Sequence, residues 1–369
     1  MMNRILRRCV IGLGLACAVG MAPAAFGQAY GMFKDPLPMI QRSVLPAETE
    51  GRMAGIGYDP LTGCMYFAAV RANVLHVLDK GGMEQVQTVA GLNEPNGIAV
   101  AFDIRKLALS CGDGTVHIYT IGSEQKGDDG KVKTPAGRLT EEKVVQFSGE
   151  ADPIRYDVKS KRAYVGHGKY VSWVDLTDGS KSPKGVEMPA QAKGLVLSPD
   201  GSKTYVNIPS KGQVVVVDNA KWEIEATWTL KDVSGNYPLA INEDGSRLFV
   251  ACRTPAKLLI LDTKDGTEKH RFDIGGDDAA DCWWDPRGKR VYITSGNGNG
   301  MITMVWNKQG TWQVEHNLET APGARTSLLI PERGRLIVCA PKITYPTFVF
   351  IYLTPGENEH NDVDPNKAH

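Results

Sequence analysis

Short runs of apolar and β-branched residues alternate with tight polar turns along most of this chain. Residues 198–207 read Ser-Pro-Asp-Gly-Ser-Lys-Thr-Tyr-Val-Asn, so a strand end, a turn and a second strand follow one another. Asp-Gly favours the turn because glycine tolerates the positive φ that such turns require. The same arrangement recurs at 242–251 and at 285–294. The pattern predicts a repeated unit of antiparallel strands.

The unit occurs seven times, and its copies lie at residues 58–68, 102–110, 157–166, 198–207, 242–251, 285–294 and 331–339. A third apolar strand follows in each copy, for example at 214–218, and a more polar fourth strand closes the unit, as at 223–228. Four antiparallel strands repeated roughly every 40 to 45 residues are typical of propeller blades. The sequence therefore predicts an all-β fold, a seven-bladed β-propeller of four-stranded antiparallel blades.

The two ends of the repeat array complement each other. The last copy, within residues 322–353, supplies only three strands, while an unpaired strand at 38–46 precedes the first copy. A closed ring leaves no exposed sheet edge, and exposed edges promote aggregation. We therefore expect the N-terminal strand to complete the last blade.

Residues 1–29 differ from the rest and have the pattern of a signal peptide. Arg4, Arg7 and Arg8 precede an apolar stretch at 9–19, and small residues dominate 22–29. We expect cleavage near 27–29 and a periplasmic or secreted protein, with a membrane anchor as the alternative and the choice between Sec and twin-arginine export open. No later run is apolar for long enough to span a membrane. The predicted domains are thus a signal peptide at 1–29, the propeller at 30–355 and a disordered polar tail at 356–369.

Composition narrows the class of partner. Hydrophobic residues make up 42% and charged residues 23%, which are globular values, and Lys+Arg equals Asp+Glu at 42 each. Since nucleic-acid binders more often carry a basic excess, we expect no nucleic-acid partner. We expect a monomer with a small-molecule or protein partner. A segment rich in Lys, Gly and Asp at 122–140 is predicted to be a flexible loop inside blade two.

Cysteine usage indicates packing rather than chemistry. Without the signal peptide five cysteines remain, and no C-x-x-C motif occurs. Because several of them end apolar runs, we interpret them as small buried hydrophobes. The residues are Cys64, Cys111, Cys252, Cys282 and Cys339.

The repeat resembles a known family. Tyr-Val-Asn at 205–207, Leu-Phe-Val-Ala at 248–251 and Val-Tyr-Ile-Thr at 291–294 each follow an Asp-Gly-like turn and precede a further apolar strand. These residues resemble the YVTN-repeat family of bacterial and archaeal seven-bladed propellers, many of them exported and similar to the large subunit of quinoprotein amine dehydrogenases. The resemblance covers about residues 38–354. It implies the fold but not the function, because the repeat encodes blade packing.

Candidate site residues follow from the predicted geometry. Innermost strands start at the central channel, so residues just before them are candidates to line its mouth: Arg52, Asn96, Asp152, Lys193, Tyr237, Asp281 and Arg325. A ring of mixed charge can bind a zwitterionic or acidic small ligand, or it can be a set of ion pairs that neutralise each other. His167, flanked by glycines at the end of a second strand, is a further candidate because its imidazole is expected to be accessible.

Three functions remain open at the level of sequence. The first is a non-catalytic binding or scaffold protein that engages its ligand or partner at a mouth of the channel, with no cofactor. The second is a metal-dependent, lactonase-like hydrolase, because residues 92–99 resemble the Pro-Asn-Gly segment of gluconolactonase-type propellers. Of that family's divalent-metal ligands only Asn96 matches. The cations Arg52 and Lys193 disfavour a metal, while Asp152 and Asp281 are candidates for further ligands. The third is an accessory propeller of a periplasmic quinoprotein or redox system. No catalytic motif such as Gly-x-Ser-x-Gly occurs, so we expect binding rather than catalysis.

Overall fold

A computed structural model describes residues 36–46, 51–80, 84–341 and 346–356. The predicted signal peptide at 1–29 and the predicted tail from 357 onwards lie outside these described residues, so both stay predictions. The described chain forms seven four-stranded antiparallel sheets arranged as the blades of one propeller. The predicted fold class is confirmed.

One strand, β1 (Met39–Val44), precedes the first blade. Blade 1 consists of β2 (Met53–Tyr58), β3 (Met65–Ala69), β4 (Val74–Leu78) and β5 (Gln85–Val89). Blade 2 consists of β6 (Pro95–Ala101), β7 (Lys106–Cys111), β8 (Thr115–Ile121) and β11 (Leu139–Gln146), with the hairpin β9 (Gln125–Lys126) and β10 (Val132–Thr134) inserted before its last strand. Blade 3 consists of β12 (Ala151–Asp157), β13 (Arg162–His167), β14 (Tyr170–Asp175) and β15 (Val186–Glu187).

Blade 4 consists of β16 (Gly194–Leu197), β17 (Lys203–Ile208), β18 (Gln213–Asp218) and β19 (Glu223–Thr229). Blade 5 consists of β20 (Ser234–Ile241), β21 (Arg247–Thr254), β22 (Ala256–Asp262) and β23 (Glu268–Asp273). Blade 6 consists of β24 (Ala279–Asp285), β25 (Arg290–Ser295), β26 (Met301–Lys308) and β27 (Thr311–Glu319). Blade 7 consists of β28 (Thr326–Ile330), β29 (Arg335–Ala340), β30 (Phe348–Leu353) and the N-terminal β1.

Helical structure in the described residues is limited to short 3-10 turns at Phe102–Ile104, Pro209–Lys211 and Pro331–Arg333. Among the described residues, no helix is long and apolar enough to cross a membrane.

The N-terminal strand closes the ring as predicted. β1 pairs antiparallel with β30, with Arg42 opposite Phe350 and Val44 opposite Phe348. Leu37 and Leu45, at either end of β1, are 0% and 2% exposed. The last blade is therefore held together by strands from both ends of the chain.

The hydrophobic core lies between the blades. Phe249 and Ile260 of blade 5, for example, pack with Val291 and Ile293 of blade 6 in one buried cluster. Burying such a side chain contributes about 1.5 to 3 kcal/mol relative to leaving it exposed. The middle strands, such as β3, are almost wholly buried because both of their faces are covered, whereas outer strands such as β19 are mostly exposed.

Adjacent inner strands approach closely enough to require glycine. A Cβ at Gly55 would lie 2.3 Å from the carbonyl oxygen of Asn96, and one at Gly194 would lie 2.2 Å from that of Tyr237. The first strands of neighbouring blades are therefore packed backbone to backbone around a narrow channel.

The segment predicted as a flexible loop, residues 122–140, contains regular structure. Val132 and Lys126 pair across the small hairpin of β9 and β10. Its base is closed by hydrogen bonds from Gly122 N to Arg138 O at 2.7 Å and from Gly137 N to Gly122 O at 2.9 Å. The high Gly, Lys and Asp content reflects turns and exposed strand faces here.

Candidate functional site

Six of the seven candidate ring residues converge on one cavity of about 330 Å³ at the starting ends of the inner strands. Each of the six comes from a different blade, because each lies just before that blade's first strand or in its first half. We call this cavity the charged mouth; it is lined by Arg52, Glu150, Asp152, Lys193, Tyr237, Arg253, Asp281 and Arg325, together with small uncharged residues.

Asn96, the ring candidate of blade 2, is not among the residues that line the charged mouth. It is buried, and its backbone carbonyl faces Gly55 of blade 1. Of the predicted ring, Asn96 is thus the member that the structure places outside the cavity.

His167 lies apart from the channel, and the expectation that its imidazole is accessible is wrong. It is 5% exposed, because β13 continues through it and the ring of Phe147 covers it at 4.7 Å between centroids. Its Nδ1 lies 2.9 Å from Ser148 O and its Nε2 lies 2.8 Å from Ser172 Oγ. Burial lowers the pKa of His167, partly offset by the contact with the Ser148 carbonyl. These contacts give the ring a structural role between strands.

Two groups of ion pairs order the charged mouth. In the first, Lys193 Nζ lies 3.2 Å from Glu150 Oε1 and 3.3 Å from Asp152 Oδ2. Burial raises the pKa of Asp152, an effect that the Lys193 ammonium opposes and the Glu150 carboxylate reinforces. One ammonium is therefore shared by two carboxylates.

The second group surrounds Asp278. Arg253 Nη1 lies 3.0 Å from Asp278 Oδ1, and Arg325 pairs with the other carboxylate oxygen. The Arg253 guanidinium also stacks over the Tyr237 ring at 3.7 Å and donates from Nε to Ala279 O at 2.9 Å. Both arginines are thereby fixed in position.

Arg52 differs from the other cations of the charged mouth. Its side chain is exposed, and no ion pair joins it to an acid within the described part of the chain. Arg52 is therefore the cation of the charged mouth that stays available to an anionic group.

The channel continues past the charged mouth into a second cavity of about 420 Å³. The two cavities share Asp152, Lys193, Tyr237 and Asp281 in their walls. The deeper one is otherwise lined largely by apolar side chains such as Leu195. The lining of the channel therefore changes from charged residues at the charged mouth to mainly apolar residues further in.

The charges of Arg155 and Asp281 attract each other in this deeper cavity. Burial raises the pKa of Asp281 to about 6, opposed by a hydrogen bond from Ser327 N to Oδ2 at 2.6 Å and by the charges of Arg155 and Arg325. Burial lowers the pKa of Arg155, opposed by Asp281 and Asp152. A carboxyl group that titrates near neutral pH thus lies in the channel wall.

Sequence reasoning missed four of these charged groups: Glu150, Arg155, Arg253 and Asp278. Arg155 carried a signal, because a cation inside an inner strand between Ile154 and Tyr156 interrupts the apolar pattern. Arg253 carried a weaker one, since it follows Cys252 where the second strand of blade 5 extends further than its counterparts.

The five cysteines are free and buried, which confirms their interpretation as core residues. Burial raises the pKa of Cys111 to about 11 and that of Cys252 to about 12. Among the described residues, no three His, Cys, Asp or Glu side chains are grouped so as to hold a metal ion.

No protein-family profile and no curated protein sequence matches this chain. Solved structures do resemble it in fold. The β-propeller domain of Cps50 (Swd1) from Myceliophteria thermophila has a TM-score of 0.65 at 13% identity, covering 87% of this chain and 100% of that one. Kuenenia stuttgartiensis hydrazine synthase has a TM-score of 0.68 at 15% identity, covering 83% and 98%. A chain of the mitotic checkpoint complex has a TM-score of 0.69 at 12% identity, covering 95% and 100%. At these identities the likeness supports the propeller fold alone.

Proposed function

We propose that this protein is an exported propeller of the YVTN-repeat type that binds a small zwitterionic or acidic molecule at the charged mouth and does not transform it. The observation that carries this proposal is the convergence of charged side chains from six blades on one cavity, with Arg52 exposed and without an ion-pair partner among the described residues. A ligand carboxylate would dock on Arg52, since a guanidinium binds a carboxylate through two parallel hydrogen bonds. A ligand ammonium group would lie against Asp152 and Asp281.

The ion pairs around Lys193 and Asp278 support binding because they position the wall before a ligand arrives. Lys193 is held by Glu150 and Asp152, and Arg253 and Arg325 are held by Asp278. Groups that are already ordered lose little conformational freedom on binding, which favours affinity.

The same geometry disfavours the lactonase-like alternative. A divalent cation between Glu150 and Asp152 would have to displace the Lys193 ammonium, which lies within 3.3 Å of both carboxylates. No feature of the channel favours the redox alternative. The alternative function is that of a scaffold protein. In that case a partner protein would insert a charged side chain into the charged mouth.

Titration calorimetry tests the binding proposal with a panel of amino acids and small dicarboxylates. We expect Arg52→Ala to weaken binding about tenfold or more, which corresponds to roughly 1.4 kcal/mol. Lys221→Ala is the matched control, because Lys221 is an exposed cation in the turn before β19. Unchanged affinity in Arg52→Ala, or no binding of any panel member, would contradict the proposal.

Export is tested by expressing the whole chain in a Gram-negative host and sequencing the N-terminus of the mature protein. We expect a periplasmic or secreted product that begins near residues 28–30. An intact chain confined to the cytoplasm would refute export without bearing on the channel.

A further inference from the structure

A polar groove lies between blades 5 and 6, apart from the channel. It measures about 510 Å³ and is formed by the turn between β20 and β21, the outer strand β23, and the tip of the hairpin β26–β27. The charged mouth lies at the starts of the inner strands, whereas this groove lies where they end. The two cavities are therefore on opposite faces of the propeller. We call it the aromatic groove; its walls include Asn242, Glu243, His270, Trp284, Lys289, Asn307 and Trp312.

Stacked rings form one wall of the aromatic groove. Trp284 stacks on the buried Phe249 with 5.2 Å between centroids and 19° between planes. Trp312 packs at 5.5 Å from Phe249 and 5.9 Å from Trp284. His270 lies 6.3 Å from Trp312. A rigid aromatic surface thus borders the cavity.

Trp312 occupies an unusual position. It stands opposite Asn307 near the tip of a hairpin whose strands, eight and nine residues long, are among the longest in the propeller. Trp284 donates its indole N–H to Glu243 Oε2 at 2.5 Å, whereas the partly exposed Trp312 is held by ring contacts with Phe249 and Trp284. A partly exposed indole in a cavity wall offers its flat face as a stacking surface to a ligand.

The charges around the aromatic groove balance, with three cations against three acids, and Asp244 is the acid without an ion pair among the described residues. Lys289 pairs with Glu243, and Asp262 pairs with Arg247 at 3.1 Å and with Lys269 at 3.6 Å. The cavity therefore offers polar atoms without a surplus of either sign. That combination favours a neutral ligand with many hydroxyl groups over an ionic one.

From these features we infer that the aromatic groove binds a carbohydrate, as a neutral hexopyranose or the terminal unit of a glycan. The C–H face of a pyranose ring stacks on an indole, and its hydroxyl edge accepts and donates hydrogen bonds. Here Trp312 supplies the stacking surface, and Asn242, Glu243 and Asn307 supply the polar contacts. The volume lies within the range of about 300 to 1,000 Å³ typical of small-molecule pockets.

Saturation-transfer NMR and tryptophan fluorescence test this with glucose, galactose, N-acetylglucosamine and their β-1,4-linked disaccharides. We expect at least one sugar to bind at millimolar concentration or below and to change the emission of Trp312. Trp312→Ala should weaken binding at least tenfold, whereas Trp312→Phe should retain part of it. Trp228→Phe is the matched control, because Trp228 packs on Tyr205 in the neighbouring blade interface and does not line the groove.

Two results would overturn the inference: no sugar of the panel binds the wild-type protein, or Trp312→Ala binds as the wild type does. If Trp312→Ala fails to fold, His270→Ala provides the decisive comparison, since His270 is exposed and its loss should weaken binding without unfolding the chain. Arg52→Ala should leave sugar binding unchanged, so failure at the channel and failure at the groove are distinguishable.

Discussion

Asp281 experiences opposing influences within one short stretch of channel wall. Burial favours its neutral form, while the Ser327 N–H and the charges of Arg155 and Arg325 favour the carboxylate. Burial prevails and raises the pKa to about 6. The charge of the channel wall therefore changes as the pH passes through about 6.

The raised pKa of Asp281 predicts a specific pH dependence of stability. In the unfolded chain the carboxyl group loses its proton near pH 4, whereas in the folded chain it keeps the proton until about pH 6. The folded state thus binds more protons in this window, so the free energy of unfolding falls as pH rises through it. We expect Asp281→Asn to remove this fall, which is on the order of 2 to 3 kcal/mol.

Urea unfolding of the wild type and Asp281→Asn at several values between pH 4 and pH 7.5 measures the effect. The stability of the variant relative to the wild type should increase with pH, whatever the constant offset caused by the substitution. Parallel curves for the two proteins would show that Asp281 does not titrate in this range.

At the level of elements, β1 is the strand on which closure depends. It covers the edge of β30, and Leu37 and Leu45 are buried beside it. Those two leucines alone contribute on the order of 4 kcal/mol. We expect a chain that begins at residue 47 to melt at a temperature several degrees lower and to aggregate through the exposed edge, relative to a chain that begins at residue 30.

Calorimetry and light scattering of the two chains measure this difference. The Leu45→Ala variant of the longer chain should fall between them, because it loses one buried side chain but keeps the strand pairing. Equal melting temperatures for all three would contradict closure by β1.

The hairpin of blade 2 should be dispensable, in contrast to β1. Residues 124–133 are exposed apart from Gly127, whereas Ala136 and Gly137 contact blade 1 through Cys64 Sγ at 3.5 Å and Tyr66 Oη at 3.3 Å. We expect replacement of 124–134 by a short Gly-Asn turn to change the unfolding free energy by less than about 1 kcal/mol, since loop-closure entropy depends weakly on length. Extending the deletion through Arg138 should destabilise the protein clearly. Urea unfolding of both deletions distinguishes these outcomes, and equal losses would refute the assignment.

Across the whole molecule, the features predictable from sequence are those that repeat. Seven similar turns and strands revealed the blades, and the surplus strand at 38–46 revealed the closure, because both follow from local pattern and edge pairing. The starts of the inner strands located most of the residues around the charged mouth. Glu150, Arg253 and Asp278 could not be predicted as part of this site, because their positions depend on the direction of the loops and on how far each side chain extends. The burial of His167 could not be predicted, because it depends on the ring of Phe147, which packs against it in the fold.

Five of the seven cysteines lie in the described part of the chain, and all five are buried. They lie in separate parts of the array: Cys64 and Cys111 in one buried cluster, and Cys252, Cys282 and Cys339 in three others. Thiolates are the reactive form, and burial raises the pKa of each thiol. We expect none of these five cysteines to react with a thiol reagent in the native protein, and all five to react after unfolding in guanidinium.

This holds even for protein recovered from an oxidising compartment, because burial rather than reduction protects the thiols. Mass spectrometry after alkylation, with and without prior reduction, counts free and paired cysteines. A disulfide in the native protein would require two of these interior sites to move together, and would therefore refute the blade packing described here as well as the prediction itself.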